Sequence, residues 1–425
     1  MESIIISGGK CLSGTISTSG SKNSSLPLLA LSILAENFEL GNIPNLDDVN
    51  SMLNLLKSLG VNYKYKDESK KNVILFNSFE KLSSVAAYNL VRKMRASFLV
   101  LGPLLARNGF AKVSLPGGCA IGLRPVDLHV FAMKKLGADI ELEDGYVIAK
   151  AKKGALIGNK IDFKRVSVGA TENALIASVL AKGQTIITNA AREPEVEDLC
   201  NCLVAMGAKI DGIGTSSITI EGVNSLKKVR YNVISDRIEA CSFVIAAAIT
   251  RSELIINNVN PKHLTSFLCA MKTMGLNVRV LENKIQVLKS DILKPIELKT
   301  AAYPGFPTDM EAHFVALACL AKGNSKIQEN IFENRFMHIP ELNRLGANIS
   351  IQDSQALISG NSTFIGAEVM ATDLRASVSL VLAGLAAKGK TKINRVYHLD
   401  RGYEKIDQKL AACGANIFRM KNERI

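Results

Sequence analysis

Six stretches of the chain are apolar on nearly every face: "SLPLLALSILA", "ASFLVLGPLLA", "ENALIASVLA", "CSFVIAAAIT", "AHFVALACLA" and "ASVSLVLAGLAA". A helix without a polar stripe has no side to give to water, so each is predicted to lie at the centre of its domain. A strand expected to be exposed follows, as in "GQTIITNA" and "GKTKINRV", and then a more amphipathic helix such as "PVDLHVFAMKKLG". A glycine stops that helix as its C-cap in "LGVNYKY", "LGADIEL", "MGAKIDG", "MGLNVRV", "LGANISI" and "CGANIFR". Alternating runs such as "ADIELEDGYVIAKA" close the unit as a hairpin.

These glycines are Gly60, Gly137, Gly207, Gly275, Gly346 and Gly414, spaced by 77, 70, 68, 71 and 68 residues. A period this regular means one unit repeated six times. Each unit supplies two helices and about four strands, so the fold class is α/β of the α+β type, with mixed sheets. Three units per domain place three buried helices inside surrounding sheets, an inside-out α/β barrel, with a cleft between two such domains. The first strand segment, "ESIIISGGKCLSGTISTSG", precedes the first apolar helix and looks displaced, so it is assigned to the second domain. Domain I is then 21–233 and domain II is 1–20 with 234–425, the chain crossing at hinges near Gly20 and Ser235.

Composition narrows the function. A chain of 425 residues suits two domains of roughly 200 residues. No stretch reaches the roughly 18 unbroken apolar residues of a membrane span, and the Met-Glu start lacks a basic, then apolar leader, so a cytoplasmic location is expected. The cysteines at 11, 119, 200, 202, 241, 269, 319 and 413 show no disulfide spacing; Cys200 and Cys202 lack a second pair or neighbouring histidines, and no structural metal is expected. The net charge is +13, yet there is no RNP-type aromatic motif and only 5% of residues are aromatic, so anionic small substrates explain part of the excess and nucleic acid is not expected.

Chemistry gathers just before the apolar helices, in "SGSKNSS", "RKMRAS", "SVGATEN", "ISDRIEA", "FPTDMEA" and "ATDLRAS". Helix starts present unpaired N–H groups and a positive dipole end, so Lys22, Arg95 and Arg375 beside them make seats for phosphate or carboxylate. Any one such segment also reads as an ordinary N-cap worth about 1 kcal/mol. Further cations stand in "CAIGLRPVDLH" with Arg124, "FENRFMHIPEL" with Arg335 and "YHLDRGYEK" with Arg401. The stretch Ser114–His129, "SLPGGCAIGLRPVDLH", sets Cys119 in a glycine-rich loop expected to be a mobile lid. Arginines beside a thiol lower its pKa from about 8.5, which helps a nucleophile and removes the proton an acid needs. His129 is read equally as a ligand contact or as a capping or packing residue, His313 as a core histidine, and His338 and His398 as cleft candidates.

Taken in order, "TSGSKNSSLP", "LPGGCAIGLRPVDLH", "VSVGATEN", "NAAREPEVEDL", "FPTDM", "FENRFMHIPEL", "MATDLRAS" and "HLDRGYEKI" span the chain. With them the sequence resembles the UDP-N-acetylglucosamine 1-carboxyvinyltransferase family of enolpyruvyl transferases. The resemblance implies transfer of enolpyruvyl from phosphoenolpyruvate to the 3′-hydroxyl of UDP-N-acetylglucosamine with release of phosphate, the first committed step of peptidoglycan synthesis. It implies no cofactor and assigns no oligomeric state. Cys119 matches the general acid that also forms a covalent phosphothioketal and is alkylated by fosfomycin, and Asp309 matches the base for the sugar hydroxyl. Lys22, Asn23, Arg124 and Arg401 match the phosphoenolpyruvate seat. The nucleotide sugar matches Arg95, Arg124, Pro125, Val126, Asp127, Leu128, Arg165, Val166, Ser167, Val168, Asp309 and Ile331. Arg335, Asp373 and Arg375 match further cleft residues.

The departures are Ser24 and Ser25 where relatives commonly carry alanines, Leu123 for a common alanine, and Arg165 for lysine in some relatives. The 3-phosphoshikimate 1-carboxyvinyltransferases share the chemistry but lack the Pro-Gly-Gly-Cys loop and begin their first motif Lys-Ser. A non-catalytic polyanion-binding scaffold is the alternative from outside enzymes.

Overall fold

The computed structural model describes residues 2–77, 81–117, 125–152 and 154–421. Cys119, Arg124 and the lid expected around them lie outside this set.

The chain is mixed α/β, and its described strands form six four-stranded sheets on one plan. In the third repeat, Lys160–Asp162 runs parallel to Gln184–Thr188; that strand pairs antiparallel with Ser217–Glu221, which pairs antiparallel with the edge strand Lys209–Asp211. The apolar helix connects the first strand to the second, as a parallel pair requires a crossover. An amphipathic helix, here Pro194–Ala205, connects the second strand to the edge. The strand after each apolar helix is therefore not exposed as expected: it is central, with neighbours on both sides and alternate side chains buried, as in Gln184–Thr188.

The apolar helices are α1 (Lys22–Ala30), α2 (Leu101–Asn108), α3 (Val168–Ser178), α4 (Arg237–Ile249), α5 (Glu311–Ala318) and α6 (Leu374–Ala386). Every residue of α4 and of α5 is buried, which matches their lack of a polar face. Residues 2–19 with 235–421 pack as one compact unit, and the described residues from 20 to 234 as another. In the first, α4, α5 and α6 touch one another and each lies against the sheet of its own repeat. In the second, α2 packs on α3, and the turn Arg95–Val100 packs on α1 and α3. The three sheets of a unit stay separate in their hydrogen bonding, so no closed barrel forms among the described residues.

Two strands are exchanged. Elsewhere the strand before an apolar helix pairs with the strand after it. Thr15–Ser17 precedes α1 but pairs with Leu254–Asn257, the strand after α4; Arg230–Asn232 precedes α4 but pairs with Phe38–Gly41, the strand after α1. The sixth repeat is completed by the start of the chain, Glu2–Ser7 pairing with Lys390–Asn394 and Asn416–Lys421. That is where the displaced N-terminal segment goes.

All six repeating glycines adopt positive φ, at 99, 87, 95, 84, 93 and 99° in chain order, a region open to glycine and strained for other residues. At Gly137 an added Cβ meets nothing within 4 Å, whereas at Gly222 it stands 1.6 Å from the Ala181 carbonyl oxygen. Gly137→Ala is expected to lower unfolding stability by about 1–2 kcal/mol from backbone conformation alone. Gly222→Ala is expected to cost more, because the backbone at Ala181 must move. Urea unfolding measures both, and equal midpoints would contradict this account.

Candidate active site

Four of the six apolar helices begin with an ordinary side-chain cap. Ser21, Ser167, Asp236 and Asp373 accept hydrogen bonds from the first-turn amides of α1, α3, α4 and α6. The middle helix of each unit departs from this: α2 follows the 3-10 turn Arg95–Val100 and α5 follows the 3-10 turn Thr308–Met310, neither with a side-chain cap. Arg95 and Asp309 sit in those turns. Asp309 is thus not the N-cap its context suggests, and its carboxylate is turned to other partners.

Two of those partners are arginines. Asp309 Oδ1 accepts from Arg335 Nη2 at 3.0 Å and from Arg375 Nε at 3.1 Å. Both guanidinium side chains are buried while that of Asp309 is 28% exposed, so the carboxylate is the face this cluster shows to solvent. Asp373, from its capping position, accepts from the Arg375 amide at 2.8 Å and fixes the backbone that carries the arginine. Behind it Arg375 Nη1 donates to Tyr403 Oη at 3.2 Å, and Tyr403 Oη, Ser242 Oγ and His313 Nε2 form a triangle of 2.8 to 3.1 Å contacts. One polar network therefore ties α4, α5 and α6 together inside an apolar interior, where it is worth more than in water. Burial works against the charge of Arg375, but Asp309, Tyr403 and Asp236 more than offset it, so its pKa is raised and it stays charged. Burial and then Arg375 push His313 well below its ordinary value, so it is neutral; it is a core histidine as read, joined to the site.

Arg401 ends the short helix Tyr397–Asp400. The turn beside it is held by Arg419, which donates from Nη1 to Asp400 at 2.9 Å and from Nε to Asp407 at 3.1 Å. Burial and then the charge of Arg401 push His398 down. The Ile331 amide donates to Glu329 at 2.6 Å, leaving its side chain exposed.

In the unit between 20 and 234, Lys22 is the first residue of α1 and its Nζ lies 3.3 Å from Asp48 Oδ2, with both side chains largely buried. Asn23 follows it, half-buried. Ser24, one of the departures, donates to Asp198, which also accepts from Tyr231 Oη at 2.7 Å and from the Ile234 amide at 3.3 Å. The first turn of α1 is thereby tied to the strand that arrives at residue 232.

A second group assembles in this unit. Arg95 Nη2 donates to the Pro125 carbonyl at 2.8 Å, Val126 precedes the helix Asp127–Lys135, and Arg165 Nη2 donates to both oxygens of Asp127 at 2.7 and 2.9 Å. Arg165 leads through Val166 and Ser167 into α3 at Val168. Residues from three distant motifs therefore meet, though the Arg165–Asp127 pair is half exposed and worth at most about 1 kcal/mol. Leu128 is buried, and His129 is a packing residue, its Nδ1 3.0 Å from Asn173 and its ring edge-on to Phe98.

The sequence reading missed Asp48, Asp198, Ser242 and Tyr403. Tyr403 was within sight, two residues after Arg401 in "HLDRGYEK", but nothing in its spacing tells a buried hydroxyl from an exposed one. Cys200 and Cys202 are enclosed, and burial pushes the Cys200 thiol up to about 12. No described group of three His, Cys, Asp or Glu side chains is placed to hold a metal ion, and no described helix is long and apolar enough to cross a membrane.

Six repeats in two units, with charged first turns on apolar helices, define a class. The sequence model of EPSP synthase (3-phosphoshikimate 1-carboxyvinyltransferase) matches residues 6–410, and the chain belongs to this enolpyruvyl transferase family. Within it, the chain is 52% identical over 424 residues to the UDP-N-acetylglucosamine 1-carboxyvinyltransferase of Novosphingobium aromaticivorans, covering 99% of both chains. It superposes on the enolpyruvyl transferase NikO from Streptomyces tendae with TM-score 0.88 at 26% identity, covering 99% of each. An EPSP synthase from Acinetobacter baumannii shares the fold, at TM-score 0.77 and 19% identity over 99% of this chain and all of that one.

His338 supplies a pH test of this interior. Burial chiefly, opposed by Asp373 and the Arg335 backbone and slightly assisted by the Arg335 guanidinium, pushes its pKa from 6.5 down to about 4. The folded chain thus refuses a proton the unfolded chain accepts, so stability held above pH 6.5 is lost as pH falls toward 4. That is worth about 3 kcal/mol. Urea unfolding of wild type and His338→Gln should differ by an amount that shrinks across that window; a difference constant with pH contradicts it.

Proposed function

We propose that the protein transfers the enolpyruvyl group of phosphoenolpyruvate to the 3′-hydroxyl of UDP-N-acetylglucosamine, releasing inorganic phosphate. The observation that carries this reading is identity at about half of all positions, over the whole length, with relatives of that name. The likeness to EPSP synthases is far weaker, at 19%. The Asp309 cluster supports the chemistry, since two buried cations hold one carboxylate in a fixed position at a helix start.

In this reading Cys119 gives a proton to the methylene carbon of phosphoenolpyruvate, and the adjacent carbon becomes electron-poor. The sugar oxygen bonds to that carbon as Asp309 takes the hydroxyl proton. The tetrahedral adduct then loses a proton from the former methylene carbon, the bond to the phosphate oxygen breaks, and the double bond returns in the product. A carboxylate held rigidly beside the electron-poor carbon also stabilises the developing positive charge. Lys22, Asn23, Arg124 and Arg401 bind phosphoenolpyruvate. Arg95, residues 124–128, Arg165–Val168 and Ile331 bind the nucleotide sugar. The step belongs to cytoplasmic peptidoglycan synthesis, hence to cell shape and division, with Cys119 as the point of attack for fosfomycin.

Phosphate release should require both substrates, and shikimate 3-phosphate should not replace the nucleotide sugar; turnover with it would overturn the assignment. Asp309→Asn should lower kcat by about 10²–10⁴. Cys119→Ser should cut turnover strongly while nucleotide-sugar binding, followed by calorimetry, survives. An unchanged rate would show the thiol to be dispensable.

A further inference from the structure

Behind Asp309 lies a second pair that this reaction does not use. Glu311 opens α5 two residues after Asp309, and His338 closes the turn Arg335–His338. Both side chains are fully enclosed, and His338 Nε2 stands 3.6 Å from Glu311 Oε1. Neither Glu311 oxygen nor Arg335 Nε has a hydrogen-bond partner within 3.5 Å, and His338 meets the backbone of Arg335 as well as Glu311. A buried carboxylate with no donor is costly, whereas a carboxylic acid facing an imidazole nitrogen satisfies a donor and an acceptor at once.

We propose that Glu311 and His338 share one buried proton, held on the Glu311 carboxyl and directed at His338 Nε2, and that this neutral pair positions Arg335 against Asp309. An ionised Glu311 would compete with Asp309 for Arg335, whose Nε is unspent. An imidazolium would add a third cation beside Arg335 and Arg375. Only the neutral pair leaves Arg335 directed at Asp309. The surrounding charges bear on the pair in both senses: Arg335 favours an ionised Glu311, while Glu329 and Asp373 oppose it. Asp373 and the backbone of Arg335 favour a charged His338, and the Arg335 guanidinium disfavours it. From the apolar helices packed on α5, Arg375 faces the same cluster through Asp309. Burial outweighs these charges, pushing the Glu311 carboxyl well up and the imidazole down.

The shared proton stands independently of the proposed reaction; its kinetic consequence rests on that reading. Infrared difference spectra of the full chain at neutral pH, wild type against Glu311→Gln, should show the C=O stretch of a protonated carboxylic acid. In His338→Phe that band should shift in frequency as its acceptor is lost, which keeps the test open if one variant fails to fold. Absence of the band would overturn the proposal. Glu311→Gln keeps a donor toward His338 and cannot ionise, so it should retain most of the neutral-pH kcat/KM. On the alkaline side wild type should lose one ionisation more than the variant, about tenfold per pH unit. Identical alkaline limbs would overturn the positioning role. The band without turnover in any form would instead overturn the proposed reaction and leave the proton assignment standing.

Discussion

A helix that is apolar on every side can meet polar chemistry only at its ends. Each unit buries three such helices, and the constraint decides where everything else can stand. Residues along α4 or α5 have no route to solvent, so charge is concentrated in first turns, where free amides and the positive end of the dipole welcome it. Asp309 is the clearest result. It stands in front of α5, reaches Arg375 at the start of α6 and Arg335 from the neighbouring turn, and so converts three separate helix starts into one electrostatic object.

That object reaches inward as well as outward. Arg375 joins Asp309 to Tyr403, Ser242 and His313, so the packing of the three helices and the orientation of the exposed carboxylate depend on the same hydrogen bonds. Buried polar groups in such a place are costly unless satisfied, and most of these are. Glu311 stands out, with both carboxyl oxygens enclosed and without a hydrogen-bond partner within 3.5 Å beside His338. In the other unit Asp198 does comparable work in holding the first turn of α1 to the arriving strand, using the hydroxyl of Ser24.

Much of this was legible because it follows from periods. The six apolar helices, the amphipathic helices that end at glycines and the hairpins all come from spacing, and the positive φ at Gly60, Gly137, Gly207, Gly275, Gly346 and Gly414 is the physical cause of the repeat. What spacing could not carry was pairing. The strand after each apolar helix looks no different whether it has one neighbour or two, so its central place was misread as exposed. The strand exchange was invisible for the same reason, since Thr15–Ser17 and Arg230–Asn232 are locally equivalent. Motifs single out charged residues such as Asp309, Arg335 and Arg375, whereas Asp48, Asp198, Ser242 and Tyr403 stand out only through contacts distant in sequence.

The exchange of strands also orders events in time. A ribosome delivers Glu2–Ser7 and Thr15–Ser17 before their partners, which are Leu254–Asn257, Lys390–Asn394 and Asn416–Lys421. The stretch from 20 to 234 can complete its sheets once Arg230–Asn232 has emerged, while Glu2–Ser7 waits for Asn416–Lys421. Glu2–Ser7 is made ahead of both its partners, and its sheet is whole only when Asn416–Lys421 arrives.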